Sequence, residues 1–268
     1  MTTPQVHLRE HHRRAIEVLT DRYRDDPAFD ALLIAGSVAK GTARDDSDVD
    51  ALFIATDEES ARRQSAGEMA FLLQDLCDYP GGYVDCKVLD RAFLRDVEER
   101  GSEPARSAFL CAYPAFSRLP GLAEQVRRIA VYPEAERRGK IDSFYAQMAL
   151  NKGFFWSEAE KRGDPYLLHR TAAELVLYGG RLILAHNRIL FPCHKRLMEF
   201  VEQAPERPEA FVRLAVQLLA EPTREHKERF CACVEGFTDW GVTGNILARY
   251  IADTELTWRT GTQALSDC

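Results

Sequence analysis

The spacing of apolar and polar residues changes character about 115 residues into the chain. Before that point, short apolar runs alternate with helical patterns of period 3.6. The run at Ala31–Ala35 ends at Gly36 and is typical of a buried strand. Thr56 and Glu59 match the capping box of a helix start. The predicted elements are helices over residues 6–24 and 56–78 and strands over residues 31–35, 48–54 and 83–89. Strands interleaved with helices indicate a small α/β domain.

Long helical patterns dominate the rest of the chain. Asp164 followed by Pro165 fits an N-cap with proline at the first helical position. The predicted helices cover residues 134–162, 165–186, 194–203, 208–220 and 241–258. Pro114 and Pro120-Gly121 each suit a domain boundary. We therefore predict an α+β protein with a catalytic domain over residues 1–115, built on a mixed sheet. We also predict that an all-helical bundle over residues 116–268 follows this catalytic domain and binds substrate or nucleotide.

Composition narrows the range of partners. The 268 residues carry a formal net charge of −7, and no basic face for a long nucleic acid is evident. A nucleic-acid partner is therefore unexpected, whereas a small or cationic partner is weakly favoured. No apolar run is long enough for a membrane span, and the N-terminus lacks a signal-peptide core. These features predict a cytoplasmic protein without a membrane partner.

Candidate chemistry is concentrated between the first two predicted strands. A strand that ends in Gly36-Ser37 and turns into a helix offers backbone N–H groups and a hydroxyl to phosphate oxygens. Asp48 and Asp50 are two strand positions apart, so their carboxylates share a face roughly 6–7 Å apart. A divalent cation relieves the repulsion between such a pair, and Mg²⁺ prefers a few carboxylates together with substrate phosphates. Hence Mg²⁺ is the predicted cofactor.

The same stretch resembles a known signature. A Gly-Ser pair followed by Asp48-Val49-Asp50 is similar to the motif of the nucleotidyltransferase superfamily typified by DNA polymerase beta. Lys40-Gly41-Thr42 and Ser47-Asp48 resemble the version in small-molecule members, such as the aminoglycoside-modifying and streptomycin-type adenylyltransferases. This resemblance implies MgATP held in a cleft beside an acceptor. It also implies that Gly36, Ser37, Lys40 and Ser47 bind the nucleotide. Ala51 departs from the motif, where a bulkier apolar residue is usual.

Three further residues complete the predicted site. The resemblance implies a third carboxylate on a later strand, and Asp85 stands where it is expected, as a metal ligand or a general base. The alternative for Asp85 is a solvent-facing position beside Lys87. Glu174, in an apolar helical context, is the other candidate base, and an ion pair with Arg170 is its alternative. Lys195 either reaches the triphosphate or is a surface lysine.

These patterns lead to one predicted activity and two alternatives. The predicted activity is the Mg²⁺-dependent transfer of a nucleoside monophosphate, AMP from ATP, to a hydroxyl of a small cationic molecule. Asp48, Asp50, Asp85 and Glu174 are its candidate catalytic residues. The alternatives are nucleotidylation of a protein or RNA end, and a non-catalytic nucleotide-binding scaffold. We interpret His11-His12 as part of a solvated polar helix face, because adjacent helical residues do not share a face.

Overall fold

The computed structural model describes residues 8–262 and residue 265, and the chain divides into two compact units. The first unit is Met1–Val131 and the second is Tyr132–Cys268. Residues 6 and 7 of the predicted first helix lie outside the described residues.

A five-stranded mixed sheet forms the centre of the first unit, with the order β3-β4-β2-β1-β5. Strand β2 runs parallel to β4, and the other neighbouring pairs are antiparallel. The strands are β1 Phe29–Ile34, β2 Val49–Ala55, β3 Ala70–Leu73, β4 Val84–Leu89 and β5 Tyr113–Ser117. The helices of this unit are α1 Glu10–Tyr23, α2 Gly36–Lys40, α3 Asp57–Ala66, α4 Arg91–Arg100, α5 Glu103–Ser107 and α6 Leu122–Ile129.

Both faces of this sheet are covered, which explains why β1 is apolar over residues 31–34. Leu32 and Ile34 face a core that includes Leu19 of α1. Ala31 and Leu33 face the opposite core, with apolar residues of α4 and α6. All six β1 residues are buried. A central strand buried on both faces shows a continuous apolar run and no alternation.

The predicted helix over residues 56–78 is wrong in its second half. Helix α3 ends at Ala66 because Gly67 adopts a left-handed conformation with φ of 72°. The chain then forms β3, which pairs antiparallel with β4. Alternate β3 residues are exposed, as expected at the edge of a sheet. The N-terminal half of the prediction is confirmed, since the Thr56 hydroxyl accepts a hydrogen bond from the Glu59 amide.

The compact units divide later than the predicted boundary at residue 115. Strand β5 pairs with β1 and so belongs to the central sheet. Helix α6 contributes Leu122, Val126 and Ile129 to the core on one face of that sheet. Both elements were missed because a short edge strand and an eight-residue helix carry little periodic signal.

The second unit is helical in its described part. Its helices are α7 Arg137–Leu150, α8 Trp156–Arg162, α9 Pro165–His186, α10 Leu197–Gln203, α11 Phe211–Ala220, α12 Arg224–Glu235, α13 Ile246–Thr254 and α14 Thr257–Thr260. Helix α9 has the predicted bounds, and the Asp164 side chain accepts a hydrogen bond from the Leu167 amide. The predicted helix over residues 134–162 is interrupted by a π-helical turn at Asn151–Phe155. The α+β class, with a mixed sheet followed by helices, is confirmed.

None of the helices in residues 8–262 and residue 265 is long and apolar enough to cross a bilayer.

Candidate active site

Three carboxylates converge at one end of the parallel strand pair. Asp50 on β2 stands opposite Asp85 on β4 in the parallel register. Asp48 immediately precedes β2. Each residue offers a carboxylate oxygen, and these oxygens all lie within 4.8 Å of one another. The structure thus brings together the two aspartates of the motif and the third carboxylate, which lies 35 residues from Asp50 in sequence.

The negative charges of Asp48 and Asp85 and the positive charges of nearby lysines have opposite effects on Asp50. Burial raises the pKa of Asp50, and the negative charge of Asp48 raises it further. The ammonium groups of Lys87 and Lys40 act in the opposite direction on the pKa of Asp50. Lys87 Nζ lies 3.2 Å from Asp85 Oδ2, so the predicted alternative contact of Asp85 also exists. The charge of Asp48, together with a hydrogen bond to it, raises the pKa of Tyr83.

The oxygens of this triad suit a hard divalent cation. Mg²⁺ is bound through oxygen ligands and tolerates a site with only a few carboxylates, because substrate phosphates and water complete its shell. Burial is the main cause of the raised pKa of Asp50, the negative charges of Asp48 and Asp85 add to it, and a bound cation would offset both effects. The three side chains are half-buried and therefore accessible to an ion. Asp48, Asp50 and Asp85 fit such a metal.

Gly36 lies directly against this carboxylate cluster. Its φ is +64°, a conformation that disfavours any residue with a Cβ. A Cβ placed on Gly36 would lie 2.5 Å from Asp50 Cγ and closer still to Oδ2. The neighbouring Ala35 amide donates to the Asp50 carbonyl over 2.9 Å. Glycine is therefore required at this position for two reasons. The backbone turn needs a positive φ, and a Cβ would overlap the Asp50 carboxylate.

The remaining predicted nucleotide-binding residues of this unit lie along the loop that joins β1 to β2. Helix α2 begins at Gly36 and contains Ser37 and Lys40, both half-buried. Ser37 accepts a backbone hydrogen bond from Thr42 at 3.0 Å, which closes the turn after the helix. Ser47 Oγ accepts a hydrogen bond of 2.8 Å from the Arg44 amide. Their contacts with phosphate stay predictions.

Glu174 and Lys195 belong to the second unit. The Glu174 carboxylate lies 2.7 Å from Arg170 and accepts a hydrogen bond of 3.0 Å from Asn151 Nδ2. The predicted ion pair with Arg170 is therefore present. Lys195 is exposed within a 3-10 turn at His194–Arg196. The catalytic role of Glu174 and the phosphate contact of Lys195 stay predictions.

Sequence reasoning missed two side chains that contact the loop before Asp48. His12 Nε2 donates to the Ser47 carbonyl over 3.0 Å, and the Tyr79 hydroxyl donates to the same oxygen over 2.9 Å. The interpretation of His11-His12 as a solvated face is wrong for His12, which is only 1% exposed. The burial of α1 against the sheet turns His12 inward, and a local pattern carries no sign of that partner.

Similarity to known proteins is found among solved structures. No protein-family model matches the chain, and no curated protein matches it. Among solved structures, it is similar to a nucleotidyltransferase-like protein from Exiguobacterium sibiricum, with 14% sequence identity and a TM-score of 0.48. That match covers 93% of this chain and 79% of the other. A likeness at this level carries no information about activity.

Proposed function

We propose that this protein is a Mg²⁺-dependent nucleotidyltransferase. It transfers a nucleoside monophosphate, AMP from ATP, to a hydroxyl group of a small cationic molecule and releases pyrophosphate. The observation that carries the proposal is the convergence of Asp48, Asp50 and Asp85 beside the Gly36-Ser37 turn. Carboxylates held this close repel one another when they are ionised. A bound cation offsets that repulsion, so the cluster favours cation binding.

In this proposal the first unit holds the nucleotide. Asp48 and Asp50 hold the metal, which when bound would neutralise phosphate charge during transfer. Asp85 either completes the ligand set of the metal or serves as the general base. Ser37 and Lys40 contact the phosphates, and the glycine at position 36 lets the chain turn tightly beside Asp50. These residues act mainly by positioning and by charge, with no covalent intermediate on the protein.

The chemical step is a displacement at phosphorus. The acceptor oxygen forms a bond to the α-phosphorus, and the bond from that phosphorus to the bridging oxygen of pyrophosphate breaks. The acceptor hydroxyl loses its proton to a carboxylate, and Asp85 and Glu174 are the two candidates. Asp85 lies in the cluster itself. Glu174 is engaged by Arg170 and Asn151 and would have to exchange one of these partners to take a proton.

Charge supports a cationic acceptor. The formal net charge of −7 attracts cations over long range, and the effect is screened as salt is raised. Aminoglycoside-like compounds are thus the first acceptors to test, and their binding should weaken with salt. If RNA or a protein end supports pyrophosphate release while these compounds do not, the small-molecule assignment is wrong.

The test is a screen for pyrophosphate release with four nucleoside triphosphates and a panel of hydroxyl-bearing cations. Asp48→Asn and Asp50→Asn variants serve as inactive controls that keep the side-chain volume. The parent should release pyrophosphate only with Mg²⁺ and an acceptor, and MgATP should raise its melting temperature by mass action. Full activity in EDTA, or activity in the double Asn variant, would refute the proposal. Nucleotide binding without pyrophosphate release would instead indicate a non-catalytic scaffold.

A further inference from the structure

The loop that leads into Asp48 is held by side chains from outside it. Arg9 Nε donates to the Ala43 carbonyl over 3.2 Å, and the Arg9 guanidinium also pairs with Asp45. Nearer the cluster, His12 and Tyr79 donate to the carbonyl of Ser47. These contacts join helix α1 and the segment before β4 to the loop.

Both hydrogen bonds at Ser47 end on one oxygen. A carbonyl oxygen has two lone pairs, and here the imidazole N–H and the phenolic O–H use both. Because a carbonyl only accepts, His12 Nε2 must carry the hydrogen. His12 is only 1% exposed, so water has little access to its Nε2–H group and cannot easily replace the Ser47 carbonyl as acceptor. Breaking the bond would leave a buried donor without its partner, which is costly.

The backbone is anchored on both sides of Asp48. The Ser47 carbonyl belongs to the peptide group that precedes Asp48. On the other side, the Val49 amide donates to the Tyr83 carbonyl over 3.0 Å, where β2 starts to pair with β4. With the peptide groups before and after it fixed, the Cα–Cβ direction of Asp48 is fixed as well.

The two donors are themselves packed together. The rings of His12 and Tyr79 meet edge to face with centroids 5.2 Å apart, and His11 packs on Tyr79 at 4.4 Å. A Cβ on Gly82 would lie 2.5 Å from Tyr79 Cε2, so the turn at Gly82 makes room for this ring. The donors are therefore held in place before any ligand arrives, which is what a group that orients a metal ligand requires.

We propose that His12 and Tyr79 are positioning residues, which hold Asp48 in its metal-binding orientation by fixing the Ser47 carbonyl. This inference rests on the proposed function, in which Asp48 is a ligand of the metal. Neither side chain touches the substrate or the metal in this proposal. Their effect reaches the site through the peptide group between Ser47 and Asp48.

The test compares Tyr79→Phe, His12→Leu and His12→Gln with the parent. Tyr79→Phe removes only the hydroxyl, and His12→Gln keeps an N–H donor near the position of the lost Nε2. Tyr23→Phe is the matched control, because Tyr23 is another half-buried tyrosine of the first unit that packs on Phe29 and Phe53. Two quantities are measured in each protein: Mn²⁺ affinity by electron paramagnetic resonance, and hydrogen exchange of the amides in residues 42–48 without metal.

Tyr79→Phe and His12→Leu should each weaken Mn²⁺ binding roughly tenfold, as expected when a group that orients a ligand is lost. Exchange in residues 42–48 should become faster. His12→Gln should restore most of the affinity, and Tyr23→Phe should match the parent in both measurements. Should His12→Leu fail to fold, Tyr79→Phe and His12→Gln still decide the question.

Two failures can be told apart. If the parent binds Mn²⁺ and Asp50→Asn does not, while Tyr79→Phe binds it like the parent, the positioning inference is overturned and the metal site stands. If the parent itself binds no Mn²⁺, the proposed function fails, and the inference about Asp48 falls with it. Faster exchange in Tyr79→Phe would then show only that the hydroxyl stabilises the loop.

Discussion

Replacement of Gly36 by alanine tests most directly how the motif and the carboxylates fit together. Two separate costs follow from the structure. A residue with a Cβ pays about 1–2 kcal/mol for the left-handed conformation that Gly36 adopts at φ of +64°. The added methyl would also overlap the Asp50 carboxylate, which must leave its rotamer at a cost of about 0.5–1.5 kcal/mol. We therefore expect a total loss of roughly 1.5–3.5 kcal/mol in the free energy of unfolding.

Gly67 provides a matched control for the first of these costs. It lies in the same unit with φ of +72°, and a Cβ there would meet nothing within 4 Å. Gly67→Ala carries the same backbone penalty and the same change in the entropy of the unfolded chain. The difference between the two variants therefore isolates the overlap with Asp50.

The assay is urea unfolding of the parent and of both variants in EDTA, followed by Mn²⁺ titration. Gly36→Ala should be less stable than Gly67→Ala and should lose at least about tenfold in Mn²⁺ affinity, because Asp50 is displaced. In an Asp50→Ala background the cost of Gly36→Ala should shrink, since contacting residues are energetically coupled. Equal stability of Gly36→Ala and Gly67→Ala, with normal Mn²⁺ binding in both, would refute the close approach of Gly36 and Asp50.

The remaining predictions concern the carboxylates. The raised pKa of Asp50 means that its charged form is less stable in the folded apo protein than in the unfolded chain. The stability of the parent relative to Asp50→Asn should therefore be greatest below the ordinary pKa of 3.8, decline as pH rises through the raised folded value, and then level off. Urea unfolding in EDTA at a series of pH values measures this, with the exposed Asp25→Asn as control, and a difference that grows with pH would contradict it. If Asp85 takes the proton, Asp85→Asn should lower turnover at least about a hundredfold and change nucleotide affinity only a few-fold, whereas a large loss of Mn²⁺ affinity would make it a ligand. Should Asp85→Asn be nearly silent in the pyrophosphate assay and Glu174→Gln inactive, Glu174 is the base.

Local pattern was sufficient for the elements whose determinants lie close together in sequence. Helix α9 has the predicted bounds because Asp164 and Pro165 mark its start, and no distant contact is needed to recognise them. The Gly36-Ser37 turn and the spacing of Asp48 and Asp50 were likewise evident from a short stretch. Their conformations follow from the backbone preference of glycine and the two-residue period of a strand.

Tertiary structure decided everything that depends on a distant partner. Asp85 is brought next to Asp50 by the parallel register of β2 and β4, which the sequence suggested only through a resemblance. Strand β3 replaced a predicted helix because pairing with β4 outweighs local helix preference once Gly67 has turned the chain. His12 became a buried hydrogen-bond donor because α1 packs on the sheet beside the loop. Register, burial and the meeting of separate segments are properties of the whole packed unit, and a local pattern of residues does not encode them.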